Sequence, residues 1–134
     1  MEISQGLEFL RDHHHAAMVT RRRDGGVQVS PVVAGLLEGG WVGISTRSGL
    51  AKAQNLRRDP AISLCVVSND WFGPWVQLDG HAEVVPLPEA MDGLIALYRV
   101  ISGEHPDWDD YRVAMRQEER VLVRFQPERV SGRP

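Results

Sequence analysis

The sequence predicts a mainly β fold of the α+β class, with antiparallel strands and a few flanking helices. Three observations lead there. The first three candidate strands are joined by the glycine turns Asp24-Gly25-Gly26 and Glu38-Gly39-Gly40. Such turns are far too short for the crossover that parallel strands need. The stretch Trp75–Val85 keeps a two-residue period, with Val76, Leu78, Ala82 and Val84 on one side and Gln77, Asp79, His81 and Glu83 on the other. Helical patterning is confined to a few segments, clearest in Pro88–Ser102. The order helix, three strands, helix, two strands, one or two helices, strand packs as an antiparallel barrel with helices around it.

Each element has a local reason. Ser4 to about Asp12 reads as an amphipathic helix, with Ser4 as N-cap and Leu7 and Leu10 toward the core. His15–Arg22 reads as a strand centred on Ala16–Val19, and glycine accepts the positive φ of the turn after it. Val27–Leu37 is its partner, with Val27, Val29, Pro31 and Val33 alternating against Gln28, Ser30, Val32 and Ala34. Pro31 lacks a ladder donor, so an edge or a bulge is expected there. Trp41–Ser45 is a third strand, and a helix from Leu50 to Arg58 ends before Asp59-Pro60. Ala61–Val67 is an apolar strand, and Trp75–Val85 a strand with one wet face. In the best helix Pro88 fits the first position, Gly103 follows the end, and Ala90, Leu94, Leu97, Tyr98 and Ile101 form the apolar stripe. A shorter helix covers Trp108–Met115, and Arg120–Gln126 is the last strand, with Val121, Val123 and Phe125 on one face.

A chain of 134 residues is expected to form one domain, residues 1–134, large enough to bury a core without disulfide or metal staples. The net charge of −3 counts against a general nucleic-acid binder. The single cysteine, Cys65, lies in an apolar run and reads as a small buried hydrophobe. The opening Met-Glu-Ile-Ser-Gln has no basic region before an apolar stretch, and no apolar run approaches the ~20 residues of a membrane helix. A cytoplasmic protein without a membrane span is therefore expected.

The sharpest chemical signal is Ser45-Thr46-Arg47-Ser48-Gly49 running into a helix with Lys52 in its first turn. Hydroxyls, backbone N–H groups and the helix dipole at such a junction suit a phosphate, and Lys52 and Arg47 add charge-assisted bonds. A solvated basic helix start has the same spacing, so both readings stand. Arg21-Arg22-Arg23 is either a solvated hairpin tip or a docking surface for a polyanionic tail. Beyond Asp12, His13-His14-His15 has no carboxylate or cysteine at ligand spacing, and no metal is expected. His81 and His105 read as surface residues. Trp71, Phe72 and Trp75 flank Gly73-Pro74 and either cover a planar ring or belong to the core or an interface. The acidic stretch Glu104, Asp107, Asp109 and Asp110 lacks the regular spacing and central glycine of a calcium loop. No nucleophile–base pair, dinucleotide fingerprint or P-loop stands out.

Taken together, three segments resemble the pyridoxamine 5′-phosphate oxidase-like split β-barrel proteins. They are Lys52-Ala53-Gln54-Asn55-Leu56-Arg57-Arg58-Asp59-Pro60, the strand Trp75–Gly80 with His81-Ala82, and Leu94–Arg99 continuing through Gly103–Arg112. The last is similar to an actinobacterial F420-dependent group. The resemblance implies a six-stranded antiparallel Greek-key split β-barrel of the FMN-binding type. It implies a homodimer with cofactor sites at the interface and a small-molecule acceptor. It implies that Ser30, Pro31, Val32 and Val33 lay their backbone beside an isoalloxazine-like ring, and that Ser45, Thr46 and Lys52 surround the phosphate. Asn55 belongs to the same helix motif, and Trp75 opens the matching strand and is counted with the cofactor-binding residues. The family often has a basic residue two positions before the lysine; here that position is Leu50, with Arg47 as the substitute. The implied cofactor is coenzyme F420, with FMN as the alternative; the phosphate and oligoglutamate tail of F420 suit Arg21–Arg23. The implied reaction is hydride transfer from reduced F420 to an electron-poor quinone, enone, unsaturated lactone or tetrapyrrole. No catalytic side chain is assigned, because the cofactor carries the chemistry. An FMN-dependent oxidase or reductase, and a non-catalytic flavin or haem carrier, are the alternative functions.

Overall fold

The computed structural model describes residues Met1–Pro134. In chain order the elements are α1 (Ile3–Asp12), β1 (His15–Arg21), β2 (Val27–Leu37), β3 (Trp41–Arg47), α2 (Ala51–Arg58), β4 (Ala61–Val67), β5 (Trp75–His81), β6 (Glu83–Val85), α3 (Met91–Ser102), α4 (Trp108–Gln117), β7 (Arg120–Phe125) and β8 (Arg129–Arg133). The β1–β2 turn closes because Gly25 takes φ +88° and the Asp24 carboxylate accepts the Gly26 N–H at 2.8 Å. All pairings are antiparallel, and the strands form one curled sheet in the order β6-β7-β3-β2-β1-β4-β5-β8.

Alternation along the strands fills the curl. Met18, Ile44, Leu64, Val76, Leu78, Val123 and Phe125 are fully buried inside it, and Leu10 of α1 plugs it from one side. A second, smaller cluster lies on the other face of β7, where Leu122 packs against Leu94, Leu97, Tyr111 and Met115 of α3 and α4. No helix is long and apolar enough to cross a membrane.

The structure has eight strands where six were expected. One extra arises because Trp75–Val85 breaks at Ala82, whose N–H donates to the Pro60 carbonyl at 2.8 Å. Before the break the chain pairs with β4, after it with β7. Side-chain alternation survives this change of partner, so the period gave no sign of it. The other extra is β8, which pairs with β5 but carries one apolar residue, Val130. Its Gly132 is required: φ is +131°, and a Cβ there would lie 2.5 Å from the Trp75 carbonyl oxygen.

Helix starts also differ. Glu2, not Ser4, caps α1, and the Gln5 side chain accepts the Glu2 N–H at 2.7 Å. Pro88 sits in a lead-in turn, with the Ala90 N–H on the Pro86 carbonyl at 2.9 Å, so α3 begins at Met91. Gly103 ends α3 at φ +81°, as its place beyond the apolar stripe predicts. Asp107 caps α4 by accepting the Asp110 N–H at 3.1 Å.

Candidate cofactor-binding site

The site begins with an open backbone edge on β2. The Ala34 N–H donates to the His14 carbonyl and the Arg22 N–H to the Gly26 carbonyl, each at 2.8 Å. Hydrogen-bonded pairs alternate along an antiparallel ladder. The backbone groups of Val27, Val29 and Pro31 therefore point away from β1. On that side β3 pairs with β2 only from Ala34 onward. The edge from Val27 to Pro31 has no strand beside it, and the missing donor of Pro31 falls on it. That is the edge its sequence position predicts.

Helix α2 lies against the other residues of β2. Lys52 Nζ approaches Ser30 Oγ at 3.4 Å, and Asn55 Nδ2 donates to Gln28 Oε1 at 3.3 Å and Thr20 Oγ1 at 3.2 Å. Arg58 donates to the Arg21 carbonyl. The spacing 52, 55, 58 is one helix face. At its N-terminus α2 is uncapped: Leu50 offers no side-chain acceptor, and the first turn holds no acid. The Leu50, Ala53 and Gln54 N–H groups are used locally, whereas those of Gly49, Ala51 and Lys52 have no backbone partner. Arg57 pins the loop by donating to Ser48 O at 2.9 Å and Ser48 Oγ at 2.8 Å. Free N–H groups, the positive end of the helix dipole and a lysine together favour an anion.

The remaining candidates separate. Ser45 and Arg47 face one side of β3 and Thr46 the other, as consecutive strand residues must. Thr46 is buried, and its Oγ1 is the one buried side-chain polar atom without a partner. Ser45 faces a chamber under α3 and α4. Arg47 pairs with Glu118 at 3.5 Å, and Glu118 also holds Arg120 at 2.8 Å. The hydrogen bond from Arg120, helped by the charges of Arg120 and Arg47, holds the Glu118 carboxyl below the usual carboxylate range. Asn55 is mostly buried in its own network, and Trp75 sits at the outer end of β5. Gln28, Glu118 and Arg120 were not among the sequence candidates; Gln28 is brought in by its contact with Asn55 of α2, and Glu118 and Arg120 by the end of α4 and the β3–β7 register.

On the outer face, Val29, Pro31, Val33, Ala17, Cys65 and Trp71 line an apolar groove of about 640 Å³. Val29 is 59% exposed, and Trp71 and Phe72 are 80% and 86% exposed. Their loop is braced by Asp70, which accepts the Phe72 N–H on its carboxylate at 3.2 Å and the Gly73 N–H on its carbonyl at 2.9 Å. Burial pushes the Cys65 thiol up, away from the reactive thiolate. His13 and His14 turn Nδ1 to the Phe9 and Ala34 carbonyls at 3.1 and 2.9 Å. The residues present fit a tricyclic, phosphate-bearing cofactor: an apolar groove beside free backbone groups, an uncapped helix start with a lysine, and an unpartnered hydroxyl nearby in sequence.

Residues 5–133 match the pyridoxamine 5′-phosphate oxidase family. The match spans nearly the whole chain, and the protein belongs to that family. Solved structures share the fold. A conserved hypothetical protein from Mycobacterium tuberculosis is 24% identical, with TM-score 0.81 over 99% of this chain and 84% of its own. An F420 reductase is 21% identical, with TM-score 0.69 over 92% of this chain and 94% of its own. A FAD-binding protein from Mesorhizobium loti is 21% identical, with TM-score 0.71 over 99% and 94%.

Proposed function

We propose that this protein is an F420-dependent oxidoreductase acting on small electron-poor organic acceptors. The observation that carries the reading is the meeting of the apolar groove and open β2 edge with the uncapped, lysine-bearing start of α2. In this reading Ser30–Val33 flank the deazaflavin ring. Lys52 and the free amides of α2 hold the phosphate, and of the β3 candidates the unpartnered Thr46 hydroxyl is the one left to join them, since Ser45 and Arg47 face the other side of the strand. Cations continue past Lys52: Arg58 lies six residues along the same helix face, about 9 Å at 1.5 Å per residue, and bonds to Arg21 at the start of the arginine run. A line of positive charge of that length supports F420, with its acidic tail, over FMN. When bound, reduced F420 supplies a hydride from C5. The chain's part is to bind, orient and shield the ring.

A homodimer completes the proposal. The outer faces of β2, β1 and β4 present Val29, Pro31, Val33, Ala17, Val19 and Cys65 in adjacent rows. An exposed apolar patch of this kind marks an interface. Trp75, Trp71 and Phe72 stand at one end of it.

The test is anaerobic mixing of reduced F420, enzyme and a quinone or cyclic enone, following the absorbance of oxidised F420. Multiple turnovers support an enzyme. Binding without turnover on any acceptor supports a carrier.

A further inference from the structure

A chamber of about 410 Å³ lies on the other side of Val33 from the cofactor groove, under α3 and α4. Its walls are aliphatic (Leu97, Ile101, Met115) and aromatic, with the Tyr98 and Tyr111 rings 5.2 Å apart and inclined at 62°. The Tyr111 hydroxyl is committed to the Leu94 carbonyl at 3.0 Å. The one charged side chain in the wall is Arg120.

Arg120 is aimed. Its Nε and Nη2 both donate to Glu118 Oε1, at 3.0 and 2.8 Å, which fixes one edge of the guanidinium and leaves Nη1 without a partner. Arg47 stands directly across the β3–β7 ladder from Arg120. Two facing cations repel, and the Glu118 carboxylate is shared between them. Both charges of the pair reach the chamber: burial pushes the Tyr111 hydroxyl up, Arg120 pulls it back, and Tyr98 and Glu118 push it further up.

We propose that this chamber binds a flat one- or two-ring molecule through an oxygen that is anionic or becomes so: a phenolate, an enolate or a quinone carbonyl. Arg120 receives that oxygen, and Glu118 is the residue that positions Arg120. The apolar walls take the ring faces. A ring with no such oxygen covers the half-buried guanidinium without pairing it, which is costly. An electron-rich oxygen gains charge-assisted hydrogen bonds there. Size narrows the class further. The chamber, about 410 Å³, has room for one or two rings. That the ring is the hydride acceptor rests on the proposed function; the binding assignment does not.

The probe is 4-nitrophenol, titrated against the protein without cofactor while the phenolate absorbance is followed. Wild type is expected to bind phenolate roughly ten- to a hundredfold tighter than phenol, lowering the apparent pKa of the bound probe. Arg120→Met removes that preference while still binding the neutral ring. Glu118→Gln reduces it, and Arg120→Lys recovers part of it. Ile101→Trp fills the chamber and abolishes binding. Thermal unfolding checks each fold; if Arg120→Met fails to fold, Arg120→Lys and Glu118→Gln decide the question by the size of the preference they retain. No binding to wild type, binding that survives Ile101→Trp, or an undiminished phenolate preference in the folded Arg120 and Glu118 variants overturns the assignment. Because no F420 is present, failure here is separate from failure of the cofactor reading.

Discussion

Replacing Lys52 by alanine isolates the phosphate end of the site. Lys52 lies in the first turn of α2, half-buried, and its one side-chain bond is the long 3.4 Å contact to Ser30 Oγ. That contact contributes little to folding, so the melting temperature should hold within a degree or two, as for most surface substitutions. Binding is another matter. A phosphate at the α2 start would accept the free amides of Gly49, Ala51 and Lys52 and one charge-assisted bond from Nζ. Losing such a bond costs about 1.5–3 kcal/mol, or roughly ten- to a hundredfold in Kd. The amides remain, so binding weakens without vanishing. The assay is quenching of F420 fluorescence on titration with wild type and Lys52→Ala, at low and high salt. Wild type should lose more affinity with salt, because one of its contacts is a screened charge pair. Turnover at saturating F420 should change less than Kd, since the phosphate is remote from C5. Equal affinity of the two proteins refutes the phosphate site.

Other outcomes follow from the same geometry. Replacing Arg21, Arg22 and Arg23 together by serine should weaken F420 several-fold, more for longer tails, and leave FMN unchanged; paired titrations read the difference. Glu118 has a depressed pKa in the folded state, so its contribution to stability is present above the usual glutamate value of ~4.3 and is lost as pH falls through the lower folded value. Melting temperature should drop below that pH, and Glu118→Gln should flatten the fall. Light scattering of wild type should give twice 15.0 kDa, and Val29→Glu, a charge in the middle of the outer face, should give a monomer with impaired cofactor binding.

Much of the fold was legible because turns and apolar periods are local. The bounds of β2 and β4 follow from the glycine turns and from Asp59-Pro60. What escaped depends on distant partners. β8 owes its existence to the free edge of β5, not to its own composition, which is Arg, Val, Ser, Gly and Arg. The break at Ala82 is invisible because alternation continues while the partner changes. In the site, Lys52 could be read from the strand-to-helix junction, since helix starts are local. Strand alternation alone implies that Ser45 and Thr46 face opposite ways. The Arg47–Glu118–Arg120 cluster could not be read, because it depends on the β3–β7 register and on Glu118 standing at the end of α4.

Equilibrium titration of the purified protein with F420 and FMN side by side, at one salt concentration, tests the central claim most directly. Tighter binding of F420, at one site per chain, is the predicted result. Tighter binding of FMN, or a protein that purifies yellow and saturated with FMN, contradicts it and makes the protein an FMN-dependent member of the family.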